Sequence, residues 1–119
     1  MTRWVSCLVL LAGALATTAT AVMGEGNAPM TVTVVPRAES GAFSDTTLVY
    51  LDGRIDADTP DRLAKALDPV KGKVAIWLNS PGGNLFAGMQ LGRLIRKRDA
   101  STHIINSRTL LPGECYSAC

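Results

Sequence analysis

The sequence predicts a layered α/β fold with a mainly parallel sheet and flanking helices. Two β-rich segments come first, and strand-like and helix-like segments then alternate, which is the order that α/β layers require. Residues 73–78 are almost entirely apolar, as parallel strands covered on both faces are. A chain of 119 residues can bury one modest core. We therefore expect one domain with the order β, β, α, β, α, β, followed by the start of another helix.

The first segment predicts export. Arg3 precedes an apolar run over residues 4–16, and residues 19–21 (Ala-Thr-Ala) offer a cleavage site, so residues 1–21 have the form of a secretory signal peptide. The apolar run is too short for a membrane span, and a retained N-terminal anchor is the alternative. We expect a periplasmic or secreted protein that meets the membrane only through this segment.

Charge and composition exclude several kinds of partner. The formal net charge is only +2, and it falls further when Arg3 is removed with the signal peptide. The one basic run, within residues 93–98, ends a predicted helix, where cations complement the macrodipole and face solvent. We expect no nucleic-acid partner. His103 and the cysteines have no recognisable ligand spacing, so we expect neither a metal nor a cofactor.

The two cysteines outside the predicted signal peptide, Cys115 and Cys119, are four residues apart. Export permits a disulfide, and positions i and i+4 of a helix lie about 6 Å apart, which is within the range of bridged Cα atoms. A pair of small buried thiols is equally consistent with the sequence.

The first two strands are delimited by turn residues. Residues 22–45 are expected to form a flexible lead-in and a first strand over residues 30–35, which Pro36 ends. Residues 46–51 are β-rich and predict the second strand.

The two helices have recognisable starts and ends. Asp58 or Thr59 can cap a short first helix, with Pro60 in its first turn and Pro69 beyond its end. The second helix is predicted over residues 84–98.

The broad apolar arc of this second helix predicts that it is well buried. Gly88 and Gly92 share one of its faces, so we expect them to approach the sheet closely. A short strand over residues 102–105 and a helix start within residues 113–119 complete the expected order.

The turn Asn79-Ser80-Pro81-Gly82-Gly83 joins the apolar strand to the second helix. Pro81 cannot continue a strand ladder, and the glycines leave their N–H groups bare at a helix start. Such amides can hold an anion or stabilise an oxyanion, although a Pro-Gly-Gly taken alone is most often a tight turn.

This turn, followed after a spacer by Gly88-Met89 on an amphipathic helix, closely resembles the Clp protease proteolytic subunit and its periplasmic relatives. The resemblance implies that Gly83 supplies an oxyanion-hole amide, and that Gly82 and Asn84 lie beside the substrate. It also implies a homo-oligomer that acts on a peptide or protein.

The segment 113–119 is similar to the nucleophile segment of that family, in particular to a periplasmic group in which cysteines bracket a Ser-Ala pair. By that resemblance Ser117 is the nucleophile and the Ala118 amide is the second oxyanion donor. Without the resemblance, a serine near a helix start is usually a cap.

The sequence departs from the family pattern at two points. The loop around residues 108–112 is longer than in a typical Clp subunit, and the family's catalytic His and Asp follow the serine, where this sequence has no matching positions. The resemblance gives His103 no role, and no lysine stands in a recognisable dyad motif. We therefore expect residues 46–119 to be the N-terminal part of a larger Clp/crotonase-like domain.

Three functions are compatible with these features. The first is an exported serine peptidase, and the second is a catalytically inactive remnant that serves as an oligomerising or peptide-binding module. The third is a crotonase-type hydratase acting on acyl-CoA thioesters, which export disfavours because that cofactor belongs to the cytoplasm.

Overall fold

The structure, a computed structural model, describes residues 27–37 and 45–119. The predicted signal peptide and the first residues of the lead-in lie outside these ranges. The strands are Thr31–Val35 (β1), Thr46–Asp52 (β2), Lys73–Asn79 (β3) and Ser101–Ile104 (β4), and the helices are Thr59–Leu67 (α1) and Leu85–Lys97 (α2). In this described part, no helix is long and apolar enough to cross a membrane.

The four strands form one mixed sheet in the order β1-β2-β3-β4. β1 runs antiparallel to β2, whereas β2 with β3 and β3 with β4 are parallel. The α/β class is therefore confirmed, and the parallel arrangement holds for two of the three pairings. Because parallel neighbours need a crossover, α1 and α2 are the connections between them.

The core lies between the sheet and the two helices. Strand residues that share one face, such as Leu51, Ile76 and Leu78, are buried with Leu63 of α1 and Leu91 of α2 in one apolar cluster. Both described helices therefore cover the same face of the sheet. On the opposite face Tyr50 and Trp77 are cross-strand partners, and their rings lie 5.1 Å apart.

The expectation that α2 is well buried is wrong for its first half. Ala87 and Leu91 are buried, but Leu85, Phe86 and Met89 are 61, 76 and 48% exposed. The apolar arc is wider than the stripe that touches the sheet, and helical spacing turns these three side chains away from that stripe.

Hydrogen bonds from Arg62, and not a side-chain N-cap, stabilise the start of α1. Asp58 is the N-cap residue but its side chain makes no capping hydrogen bond. Arg62 instead donates to Asp56 at 2.7 Å, to Thr59 Oγ1 at 3.1 Å and to the Met30 carbonyl at 3.0 Å. The hydrogen bond from Arg62 lowers the pKa of Asp56 below its ordinary value.

A matched pair of leucines tests where the core lies. Leu63→Ala removes a side chain that is fully buried and is expected to lower the free energy of unfolding by about 2–4 kcal/mol. Leu85→Ala, at a helical leucine that is 61% exposed, should cost under about 1 kcal/mol. Urea denaturation followed by circular dichroism measures both, and equal losses would contradict this core.

Asp56→Asn tests the Arg62 contact through its pH dependence. The change is expected to lower stability by about 0.5–1 kcal/mol at neutral pH, because both side chains are partly exposed. The pKa of Asp56 is depressed in the fold, so its contribution is present above the ordinary carboxyl pKa of 3.8 and is lost as the pH falls through the folded value. In thermal melts from pH 7 to pH 2.5, the difference in stability between the wild-type protein and Asp56→Asn should decrease as the pH falls. Asp68→Asn, at an exposed residue that follows the other end of α1, is the control and should change the stability at neutral pH by less than about 0.5 kcal/mol.

Candidate functional site

The glycine turn, residues 79–83, leaves β3 with both glycines at positive φ, 96° at Gly82 and 143° at Gly83. Ile55 lies across the turn. Its N–H donates to the Gly82 carbonyl at 2.8 Å, and a Cβ on Gly83 would overlap the Ile55 carbonyl. The Ser80 hydroxyl, fully buried, accepts from the Gly82 N–H at 3.1 Å. Only glycine fits this backbone contact and this conformation.

Asn84 caps α2 directly after the turn. Its Oδ1 accepts from the Ala87 N–H at 3.0 Å, and its own N–H donates to the Ile55 carbonyl at 2.9 Å. Both predicted substrate contacts, Gly82 and Asn84, thus have polar groups engaged inside the fold. Their contact with a substrate stays a prediction.

The C-terminal segment lies against the glycine turn. A Cβ on Gly82 would lie 2.8 Å from Ser117 Cβ and 3.2 Å from Ala118 N, and a Cβ on Gly88 would overlap the Ala118 carbonyl. The structure therefore brings the predicted nucleophile and the two predicted oxyanion residues, Gly83 and Ala118, into one region. Among the described hydrogen bonds, neither the Gly83 N–H nor the Ala118 N–H has an acceptor.

The predicted helix start at residues 113–119 is wrong. The segment forms a turn, in which the Cys119 N–H donates to the Tyr116 carbonyl at 3.0 Å and Ser117 has φ of 51°. A residue in the left-handed region cannot continue a right-handed helix. Ser117 is exposed and lies in a turn, and no helix of the described residues begins at it.

Gly88 makes a close backbone contact, but its partner differs from the one that the sequence predicts. Its neighbour is the backbone of Ala118 and not the sheet, and a Cβ on Gly92 would meet nothing within 4 Å. Close approach to the sheet is thus wrong for both glycines. The C-terminal segment crosses α2 at Gly88.

Cys115 and Cys119 form a disulfide in the structure, with their Cα atoms 5.1 Å apart. The bridge borders an apolar cavity of about 250 Å³ between α2 and the sheet, whose lining includes Leu78, Leu91 and Ile104. Of the two alternatives that the sequence left open, the structure contains the bridge.

His103 is not brought to Ser117. It is the cross-strand partner of Trp77, and its neighbours Thr102 and Ile104 line the cavity beside α2. Because side chains alternate along a strand, His103 lies on the other face of the sheet.

The lysines lie at the far end of the fold from Ser117. Lys73 opens β3, about 20 Å from the turn that follows that strand, and Lys97 ends α2 about 14 Å beyond Gly88. Lys65 is in the last turn of α1, and Lys71 precedes β3 by two residues. Neither His103 nor a lysine of the described chain is therefore placed to act as a base on Ser117.

A polar cavity that sequence reasoning missed lies at the carboxyl ends of β2 and β3, with a volume of about 320 Å³. Asn79 Nδ2 donates to Asp52 Oδ1 at 3.1 Å, and Asn79 Oδ1 accepts from the Glu114 N–H at 2.9 Å. Arg108, from the long loop, lies 4.0 Å from Asp52 Oδ2. The position of Asp52 at a strand end was the available signal. In the described part of the chain, no group of three or more metal-binding side chains converges.

No family model, curated protein or solved structure matches the chain. The roles that the Clp resemblance implies for Ser117, Gly83 and Ala118 therefore remain proposals.

Two glycines on one helix test the contact with the C-terminal segment. Gly88→Ala should displace Ala118 and increase amide hydrogen exchange at Cys119 at least about tenfold, because the new Cβ overlaps the Ala118 carbonyl. Gly92→Ala has open space and should stabilise the protein by about 0.5–1 kcal/mol through helix propensity. Mass spectrometry measures the amide hydrogen exchange, and urea denaturation measures the change in stability. Similar behaviour of the two variants would refute the crossing at Gly88.

Proposed function

We propose that this chain is the N-terminal part of an exported Clp-like serine peptidase. In this proposal Ser117 attacks a peptide carbonyl, and the amides of Gly83 and Ala118 hold the oxyanion. The observation that carries the proposal is the contact between Ser117-Ala118 and the glycine turn at Gly82. This contact joins the segment of the candidate nucleophile to the residue before the candidate oxyanion donor Gly83.

The amide groups support this assignment. An oxyanion hole needs N–H donors that are not consumed by the fold and are fixed before the reaction. Gly82 fails this requirement because its N–H donates to Ser80. The N–H groups of Gly83 and Ala118 have no acceptor among the described hydrogen bonds, and the β-bridge with Ile55 fixes the position of Gly83.

The proposal needs a base other than His103 and the described lysines. A serine hydroxyl is a poor nucleophile unless a neighbouring group takes its proton. His103 lies on the other face of the sheet and the lysines lie at its other end. In Clp-type subunits a His and an Asp follow the serine, and the proposal assigns the base to such a continuation of the chain.

The remaining parts of the proposal concern location and assembly. The signal-like first segment and the disulfide fit an oxidising compartment, the periplasm or the exterior. The substrate is a peptide or protein, and the assembled enzyme is a homo-oligomer.

A second candidate is a catalytically inactive member that acts as an oligomerising or peptide-binding module. The exposed apolar side chains of Leu85, Phe86, Met89 and Tyr116 favour it, since such surfaces mark interaction sites. This candidate needs no base.

Covalent labelling with a fluorophosphonate probe tests the peptidase proposal. The probe is expected to modify Ser117, detected by mass spectrometry of the tryptic peptide, and Ser117→Ala should abolish the adduct. Labelling will be slow in this chain, because activation by a base contributes about 10²–10⁴-fold to such reactions. Ser101→Ala, at an exposed strand serine, is the matched control and should label normally.

Sequencing the locus and its transcript beyond the Cys119 codon separates the two candidates. A reading frame that continues with a His and an Asp supports the peptidase. A stop codon at that point, together with absent labelling, supports the inactive module.

A further inference from the structure

The last three residues make no described hydrogen bond to the rest of the fold. The backbone ladder that ties this segment to β3 consists of Ser80 N–H to the Glu114 carbonyl at 2.7 Å and Tyr116 N–H to the Ser80 carbonyl at 3.2 Å. Beyond Tyr116, the one described hydrogen bond is internal, from the Cys119 N–H to the Tyr116 carbonyl. Ser117 and Ala118 therefore depend on other forces for their position.

The disulfide supplies one of these forces. Cys115 is anchored, because it forms a β-bridge with Ser80, which is fully buried. The disulfide bond holds Cys119, the end of the segment, close to Cys115. Ser117 and Ala118 are part of the ring that the disulfide closes. They lie against Gly82, and the Ala118 backbone also lies against Gly88.

The conformation of Ser117 is consistent with such a restraint. Its φ of 51° lies in the left-handed region, which is unfavourable for a residue with a Cβ. The ring and the two glycines are the surroundings that the structure provides.

We propose that the Cys115–Cys119 disulfide is a redox-sensitive clasp that positions Ser117 and Ala118, and that a dithiol reductant releases them. Cys119 is an exposed residue and Cys115 is partly buried, so the proposal places the attack of the reductant on the Cys119 sulfur. The sequence separation of 4 closes a small ring, so its opening adds less chain entropy than that of a longer loop, and we expect the rest of the fold to stay intact. The consequence for reactivity rests on the proposed function, but the release itself does not.

The exchange chemistry is complete with a dithiol as the co-reactant. One thiolate of the reductant attacks the Cys119 sulfur, the bond between the two cysteines breaks, and Cys115 leaves as a thiolate that takes a proton from solvent. The second thiol of the reductant then attacks the mixed disulfide and frees Cys119 as a thiol. The reductant becomes a disulfide, and two electrons pass to the cysteine pair.

Amide hydrogen exchange in the full chain, with and without dithiothreitol, tests the clasp. Reduction is expected to accelerate exchange at the Cys119 N–H, which is hydrogen-bonded to the Tyr116 carbonyl, at least about tenfold, whereas the Ser80 N–H should change less than about twofold. The double variant Cys115→Ser/Cys119→Ser should match the reduced protein and should not respond to dithiothreitol. Unchanged exchange at Cys119, or an equal increase throughout the sheet, would overturn the proposal.

Fluorophosphonate labelling in the same samples separates the clasp from the peptidase proposal. If Ser117 is the nucleophile, reduction should lower its labelling rate about tenfold, and the double variant should show the low rate under both conditions. Labelling absent in both redox states counts against the peptidase, and the clasp is then decided by the exchange data. Labelling that is unchanged by reduction, in a protein whose disulfide is demonstrably open, overturns the positioning role.

Discussion

The close contact of backbone with backbone at Gly82 and Gly83 determines how three separate segments meet. Ile55 is hydrogen-bonded on both sides of Gly83, to the Gly82 carbonyl and the Asn84 N–H, so the connection after β2 is fixed to the start of α2. The C-terminal segment lies against Gly82 from another direction. Any side chain at these two positions would separate the segments, and would move the Gly83 amide away from Ser117 and Ala118.

The strands and helices of the described chain could be predicted because their limits are set by local chemistry. Pro36 removes a backbone donor after β1, Pro69 cannot continue α1, and Asn84 caps α2, and each acts within a few residues. Every strand with predicted limits begins and ends within one residue of them. The extent of burial was less predictable. The apolar pattern of α2 gives the direction of its buried face, but the width of that face depends on what the rest of the fold brings to it.

The candidate site was predictable in part for the same reason. The glycine turn is a local signal, since its conformation excludes other residues. The surroundings of Ser117 are not a local signal, because Ser117 lies between two disulfide-bonded cysteines and against Gly82, which is distant from it in the sequence. The polar cavity at Asp52 escaped prediction because Arg108 and Glu114 reach it from a distant loop. Only the tertiary structure makes these residues neighbours.

The arrangement of Tyr50 and Trp77 gives the molecule an intrinsic optical reporter. The sequence contains two tryptophans, Trp4 and Trp77, and the first lies within the predicted signal peptide. Export with cleavage would leave Trp77 as the single indole, partly exposed and in contact with a tyrosine ring that can transfer excitation to it. Its emission would follow the sheet face opposite the helices. Changes in the C-terminal turn would leave this fluorescence largely unchanged. Tryptophan emission could therefore distinguish loss of the fold from local opening of the turn.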